Sequence, residues 1–444
     1  MTNLPENWTI CYLSEIASRV RGVSYDKSDL GIEDSTHTCL LRANNIQDGN
    51  IIYDDVQYVS SSVIDALQNM KKFDILIAMS SGSKNLVGKT AQYLHNERNI
   101  TFGAFCSVVR PDKNINPIFL GKFFQTNTYR KTVSGISKGV NINNLKNSHI
   151  NNLSIPLPPL AEQGRIVQKI EELFADIDAG IQNLKSVQDQ IKLYRQSVLK
   201  SAFEGKLYKT TEWSFEQIGK ICEINPKTTI PALNDNSPVS FLPMPAVMPE
   251  INRFIPQIVP YSKVKKGYTK FANSDVLFAK ITPCMENGKS CVVHDLLNGI
   301  GFGSTEFHVL RPKEKITPLF VFYFIVQPIF RTTAIPFMTG AVGQKRIPAD
   351  YLRDYIIPVP TLDEQERIVA EIERRFEQAD ELEKAVNAAL ADAEKMKQAI
   401  LKKAFRGELV EQNPDDEPAA VLLDRIRAER AAAPKSPKKE KENE

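Results

Sequence analysis

IPLPPLAEQGRIVQKIEELFADID, residues 155 to 178, and IPVPTLDEQERIVAEIERRFEQAD, residues 357 to 380, align without a gap at an offset of 202 residues, and 13 of their 24 positions are identical. The agreement resumes downstream, where QSVLKSAFEGKL (196 to 207) lies over QAILKKAFRGEL (398 to 409) at the same offset with seven identities in 12. Two copies at one long, fixed spacing mean a duplicated architecture and not a solenoid, whose period would be roughly 20 to 50 residues. A chain of 444 residues has room for two or more domains, each able to bury its own core, and two halves fit that length.

The repeat itself reads as helix. Ile166, Ile170, Leu173, Ile177, Ile181, Leu184, Val187, Ile191, Tyr194, Val198 and Ala202 recur at spacings of three and four, the seam of a coiled coil or bundle. Thr361 precedes Glu364 by three residues, a capping box, and Pro159 occupies the same cap position in the first copy. Lys200 and Lys402 suit the negative helix end, and Gly205 and Gly407 can take the left-handed cap. A helix from Leu160 to Phe203 would be roughly 66 Å long. Neither apolar stripe can be buried alone, so the two copies are expected to pack on each other. An internal two-fold would make that packing antiparallel and hold two variable domains at opposite ends.

Outside the repeat the halves have diverged but keep a common skeleton. Trp8 and Trp213 open the halves, FDILIAM (73 to 79) matches SDVLFAK (274 to 280), and VVRP (108 to 111) matches HVLRP (308 to 312). Asp74 thereby pairs with Asp275, Arg110 with Arg311 and Arg130 with Arg331. FDILIAM and FCSVVR have the short, β-branched character of buried strands. The Phe-rich segments NPIFLGKFFQTNTYR and TPLFVFYFIVQPIFR have helical length. The expected architecture is α/β (α+β): two globular domains, 1–154 and 209–356, each followed by a helical repeat, 155–208 and 357–411. A partly disordered tail, 412–444, closes the chain, with VLLDRIRAERAAA (421 to 433) as a short docking helix within it.

With 42% hydrophobic and 25% charged residues, the composition is that of a soluble globular protein, so disorder is not expected elsewhere. The most apolar run, PLFVFYFIVQPIF (318 to 330), is too short to span a bilayer, and the polar N-terminus lacks a signal-peptide pattern. Both point to the cytoplasm and away from a membrane. The six cysteines have no metal-site spacing and read as reduced thiols. Net charge is only +3, but its distribution is uneven. Lys113 to Ala161 contains no Asp or Glu and carries Lys113, Lys122, Arg130, Lys131, Lys138 and Lys146; Lys315 to Ala349 is again acid-free, with Lys315, Arg331, Lys345 and Arg346. One such stretch is an ordinary solvated face. Two at matching positions of a duplicated chain suggest two anion-facing surfaces and a polyanionic partner.

Catalytic signatures are missing. GSKNLVGKT (82 to 90) resembles a phosphate-binding loop but encloses five residues between Gly82 and Gly88, where the motif requires four. The histidines at 37, 95, 149, 294 and 308 form no ligand cluster, and no Gly-rich cofactor fingerprint follows a strand.

Two variable domains, each followed by an IPxPxLxEQxRIV helix ending AFxGxL, resemble the specificity subunit of a type I restriction-modification enzyme over essentially the whole chain. LLRANNIQDGNI, IAMSSGSKNLVGKTA, FGAFCSVVRP and NINNLK look like first-half domains of enterobacterial members, while FLPMPAVMPEINRF and FAKITPCMENGKS mark a second recognition domain. The resemblance implies a non-catalytic chain. Each domain would read one half of a split double-stranded DNA site, and the helix pair would set the gap. Two modification subunits carrying S-adenosylmethionine chemistry and two restriction subunits using ATP and Mg would join it, leaving no cofactor or metal on this chain. Docking on them is assigned to Glu162, Gln163, Arg165, Ile166, Ile170, Phe174, Phe203, Glu364, Gln365, Arg367, Ile368, Ile372, Phe376 and Phe405, which also build the coiled coil.

Asn pairs bidentately with adenine, and Arg or Lys with guanine. The candidate DNA contacts are therefore Arg42, Asn44, Asn45, Lys84, Lys89, Lys138, Asn141, Asn143, Asn144 and Lys146 in the first domain. In the second they are Lys263, Lys265, Lys266, Lys280, Lys289, Gln344, Lys345 and Arg346, with YSKVKKGYTK (261 to 270) suited to phosphates. A coiled-coil adaptor binding proteins is the alternative, which the paired acid-free segments disfavour.

Overall fold

The computed structural model describes residues 4–81, 86–95, 99–136, 143–207, 212–341 and 343–432. They form two compact units, Met1–Asn183 with Ala389–Glu444, and Leu184–Ala388. Each unit contains part of each long helix, Leu160–Phe203 and Leu362–Ala404.

The first unit opens with Thr9–Tyr12, paired antiparallel to Ser154–Leu157, so the start and end of its globular part are tied together. A four-stranded antiparallel sheet follows in the order Thr90–Gln92, Ile75–Ala78, Cys106–Pro111, Ala17–Arg21. A second sheet runs Ile100–Phe102, His37–Leu41, Gln57–Ser60, Leu30–Gly31, with its first pair parallel. Ile75–Ala78 is buried at every position, which is why it reads as an unbroken apolar run and not an alternating one.

The second unit repeats this plan. Ser214–Gln217 pairs with Ile356–Val359. One sheet runs Cys222–Ile224, Phe307–Pro312, Val276–Ala279, Ser290–Val292. The other runs Gln257–Pro260, Pro238–Leu242, Ile300–Gly303, Thr269–Ala272, again with one parallel pair. The Phe-rich helix Pro318–Ile325 is apolar on all sides because it lies inside this unit's core, with Phe320, Phe322 and Ile325 fully buried. Among the described residues no single helix is long and apolar enough to cross a membrane.

The residues matched across the two halves form the same ion pair within each unit, Asp74 with Arg110 and Asp275 with Arg311. Arg110 donates through Nε and Nη2 to Asp74 at 2.8 and 2.7 Å, and Arg311 to Asp275 at 2.7 and 2.7 Å. Both carboxylates are fully buried. The residue before each has a positive φ, 74° at Phe73 and 69° at Ser274, a conformation that costs a side-chain-bearing residue energy. The carboxylate helps hold that turn by accepting the backbone N–H of Lys71 or Ala272.

Both long helices end as expected. Gly205 (φ 70°) and Gly407 (φ 73°) are left-handed, and the residue after each donates back across the last turn, Lys206 to Ser201 at 2.8 Å and Glu408 to Lys403 at 2.9 Å. Within the second unit the helices pack antiparallel: Gln188 meets Asn387 at 2.7 Å, and seven residues on, Arg195 meets Asp380 at 2.5 Å. Arg195 also lies over the Phe376 ring. In the first unit Lys397 pairs with Asp178 at 2.5 Å and lies over Phe174. Ile166, Ile170, Ile368 and Ile372 are buried in the seam, but Tyr194, assigned to it, is 42% exposed.

The described part of the tail packs on the first unit. Ala419–Ala432 is a helix whose Leu422, Leu423 and Ile426 enter the core of the first unit, fastened by Arg427 to Glu15 and Arg430 to Asp112.

Candidate nucleic-acid interface

The repeated Glu-Gln pair begins the long helices and faces inward. Glu162 accepts the Trp8 indole N–H at 3.0 Å and the Gln412 amide at 2.7 Å, and burial pushes its carboxyl above the usual carboxylate range against those two bonds. Gln163 accepts from the Asn116 N–H at 2.9 Å and donates to the Pro158 carbonyl. In the second unit Trp213 donates to Glu364 at 3.0 Å, and Gln365 accepts from the Thr317 N–H at 2.8 Å while donating to Lys315 and Pro360. Each tryptophan and Glu-Gln pair thus locks a globular part to the helix that follows it.

Several docking assignments are corrected by this. Glu162, Gln163, Glu364 and Gln365 are buried inside their units and cannot meet a partner. Phe203 stacks on Phe320 and Phe324, and Phe405 on Phe119 and Phe123, so both are core residues. Arg165 is bonded to Asp416, and Phe174 is covered by Lys122 and Lys397, while Arg367 remains exposed. What the helices do expose is Leu193 (63%), Leu382 (50%) and Met396 (56%), residues the heptad reading passed over. Leu382 also lines a shallow groove of about 300 Å³ with Val187, Ile191 and Tyr194.

The DNA candidates gather where the central strand of each sheet ends. In the first unit Ala78 donates to the Lys89 carbonyl at 3.0 Å, Leu145 donates to Met79 at 2.8 Å, and Asn143–Asn144 pairs with Ser80–Ser81. In the second, Ala279 donates to the Lys289 carbonyl at 3.0 Å, Ile347 donates to Lys280 at 2.9 Å, and Arg346 bridges Ile281. One backbone frame therefore carries Lys89 with Asn143 and Asn144 in one unit, and Lys289 with Lys280, Lys345 and Arg346 in the other. Asn144, Lys146, Gln344 and Lys345 are exposed; Lys89, Lys280 and Lys289 are half-buried. Lys289 Nζ reaches the Met244 carbonyl. Arg346 grips Glu306 at 2.9 and 2.8 Å, and that bond holds the Glu306 carboxyl below its usual range.

A signal in the sequence went unread here. Gly88-Lys89-Thr90 and Gly288-Lys289-Ser290 are the same turn, with φ of 73° and 71° at the glycines. Arg130 supports the first by donating to the Val87 carbonyl, and Arg331 the second by donating to Glu286. GSKNLVGKT mattered for its last three residues, and not as a nucleotide loop.

Other candidates do not present themselves to a ligand. Asn45 is fully buried, its amide committed to the Ile52 and Asp54 carbonyls, so it shapes its loop and cannot read a base. Arg42 and exposed Asn44 both donate to Asp55. Lys265 pairs with Asp235, leaving Lys263 and Lys266 exposed on the same segment. Part of the acid-free charge is also paired with acids from elsewhere in the chain. Lys113 pairs with Glu429, and Arg331 is buried against Glu250. Lys84, Lys138 and Asn141 lie outside the described residues. Among the described residues no group of His, Cys, Asp and Glu is arranged to hold a metal.

The family model for the type I restriction modification DNA specificity domain matches this chain twice, over residues 5–186 and 210–391. The chain belongs to that family. It is 33% identical to the Type I restriction enzyme EcoKI specificity subunit of Escherichia coli strain K12, and 32% identical to the StySPI specificity subunit of Salmonella potsdam, each over 97% of both chains. Among solved structures, a chain from a study of complex assembly and conformational transition of the type I R-M system superposes with a TM-score of 0.67 at 20% identity, covering 91% of this chain and 99% of that one. The HsdS subunit from Thermoanaerobacter tengcongensis gives 0.50, at 20% identity over 91% and 98%. The two family matches coincide with the two Trp-to-Glu-Gln frames, so each unit contains one DNA specificity domain. As a specificity subunit the chain is the non-catalytic component of its system.

Proposed function

We propose that the two frames read the two halves of a split double-stranded DNA sequence, one per unit, and that two modification subunits dock on the exposed apolar residues of the long helices. The observation that carries this is the pairing of a shared backbone with different side chains: Asn143 and Asn144 stand where the other unit has Lys345 and Arg346. Asparagine suits adenine and lysine suits guanine, so one scaffold offers two different readouts, with exposed Lys345 as the reader in the second unit and Arg346 held against Glu306 as its support. The exposed lysines Lys146, Lys263 and Lys266 suit phosphates, which fix register without reading sequence. Two restriction subunits complete the assembly in the cytoplasm. S-adenosylmethionine, ATP and Mg act on those partner chains.

Co-expression with the modification subunit, followed by genome-wide mapping of adenine methylation by single-molecule sequencing, tests this reading. A single split motif with a fixed gap, methylated on both strands, is expected. A stably assembled complex with no salt-dependent affinity for DNA would refute it and favour a protein-binding adaptor.

A further inference from the structure

Phe105 is 71% exposed, while its neighbours Phe102 and Cys106 are buried. It sits on a tight turn closed by Cys106 N–H to the Gly103 carbonyl at 2.8 Å. Its own carbonyl accepts two N–H groups, from Met79 at 2.8 Å and Ser80 at 3.2 Å. A single exposed aromatic on a loose loop would need no explanation. This one is fixed by the turn bond and by two backbone bonds onto the strand end that carries Asn144 and precedes the Gly-Lys turn. The second unit preserves the frame at the same place, where Lys280 donates to the Glu306 carbonyl at 2.9 Å, but the side chain there is a carboxylate held by Arg346. The backbone is constant and the side chain differs, an exposed apolar ring in one unit and a half-buried carboxylate bound to Arg346 in the other, as expected of a position that differs between the two half-sites.

We infer that Phe105 is a specificity-determining residue that contacts the C5-methyl group of a thymine in the major groove of the first half-site. This rests on the proposed DNA-reading role of the frames. Among base edges in the major groove, only thymine offers an apolar group, and Phe is one of the side chains suited to it. Phe105 donates and accepts nothing through its side chain, so it adds discrimination that Asn144 and Lys89 cannot supply.

The test uses the complex assembled with its modification subunit. Its methylation motif is mapped for the natural chain, for Phe105→Ala and for Phe105→Leu, and the methylation rate is then measured on duplexes in which each thymine of the first half-site is replaced in turn by deoxyuridine. Phe105→Ala is expected to relax one position of the first half-site by about 5- to 100-fold and leave the second half-site unchanged, with Leu intermediate. Deoxyuridine at that position should slow the natural complex by a similar factor and leave the Ala variant indifferent. An unchanged motif in Phe105→Ala, a uniform loss at all sites, or equal sensitivity of both proteins to deoxyuridine would overturn the inference alone. A natural complex that assembles but neither binds DNA nor methylates a split motif would overturn the underlying reading as well.

Discussion

Replacing Asp74 with alanine removes the carboxylate from a guanidinium that cannot shed its charge. Breaking a buried ion pair by deleting one partner costs about 3–5 kcal/mol, because the other charge is left uncompensated. Arg110 is 16% exposed and keeps the Asn69 carbonyl at 3.0 Å, which places the loss near the lower end. The turn at Phe73 also loses the bond from Lys71 N–H, so about 3–4 kcal/mol is expected in total. At roughly 2–4 °C per kcal/mol for a unit of this size, the melting temperature should fall by about 6–16 °C. The same change at Asp275 should cost less, since Arg311 is 30% exposed and also donates to Thr228. The chain has two tryptophans, Trp8 in the first unit and Trp213 in the second, so Trp213→Phe leaves fluorescence reporting on the first unit. Urea titrations of Asp74→Ala, Arg110→Ala and the double variant form a cycle with an expected coupling above about 1.5 kcal/mol. A loss below about 1 kcal/mol, or simple additivity, would refute the reasoning.

Gly88→Ala and Gly288→Ala place a side chain at φ of 73° and 71°, and a Cβ at Gly88 would lie 2.2 Å from Val133, so each should lose more than about 1 kcal/mol in urea titration. His308 is buried with Nε2 on the Ile347 carbonyl, and desolvation lowers its pKa below the ordinary 6.5. The unfolded chain therefore binds the extra proton first: stability is full above pH 6.5 and is lost as pH falls from there towards the folded pKa, a slope in Trp213-monitored unfolding that His308→Asn should abolish. Leu193→Asp and Leu382→Asp alter exposed positions, so unfolding should be unchanged while co-purification with the modification subunit is lost.

The helices were legible because their seam, caps and repeat all point the same way, and the matched skeleton showed Asp74 and Asp275, and Arg110 and Arg311, as counterparts; that each acid grips the arginine of its own half was not legible. The inward face of Glu162-Gln163 was not. Polar residues at a helix start ordinarily face water, and partners distant in sequence, the Trp8 indole, the Gln412 amide and the Asn116 N–H, satisfy the pair when it is buried. Among the asparagines, Asn45 and Asn144 are the same chemistry in sequence; backbone carbonyls claim one and leave the other exposed. The Gly-Lys turns were visible in both halves but hidden by their likeness to a nucleotide loop. Phe105 carries no polar signal, and its role emerges only when the turn is placed beside the strand end it braces.

The most direct test of the two-frame account is to map methylation for Asn144→Ala and Lys345→Ala side by side in the assembled complex. The account predicts that each substitution relaxes one half of the split motif, a different half in each case, with the gap and the other half untouched. Relaxation of the same half by both, or of neither, would contradict it.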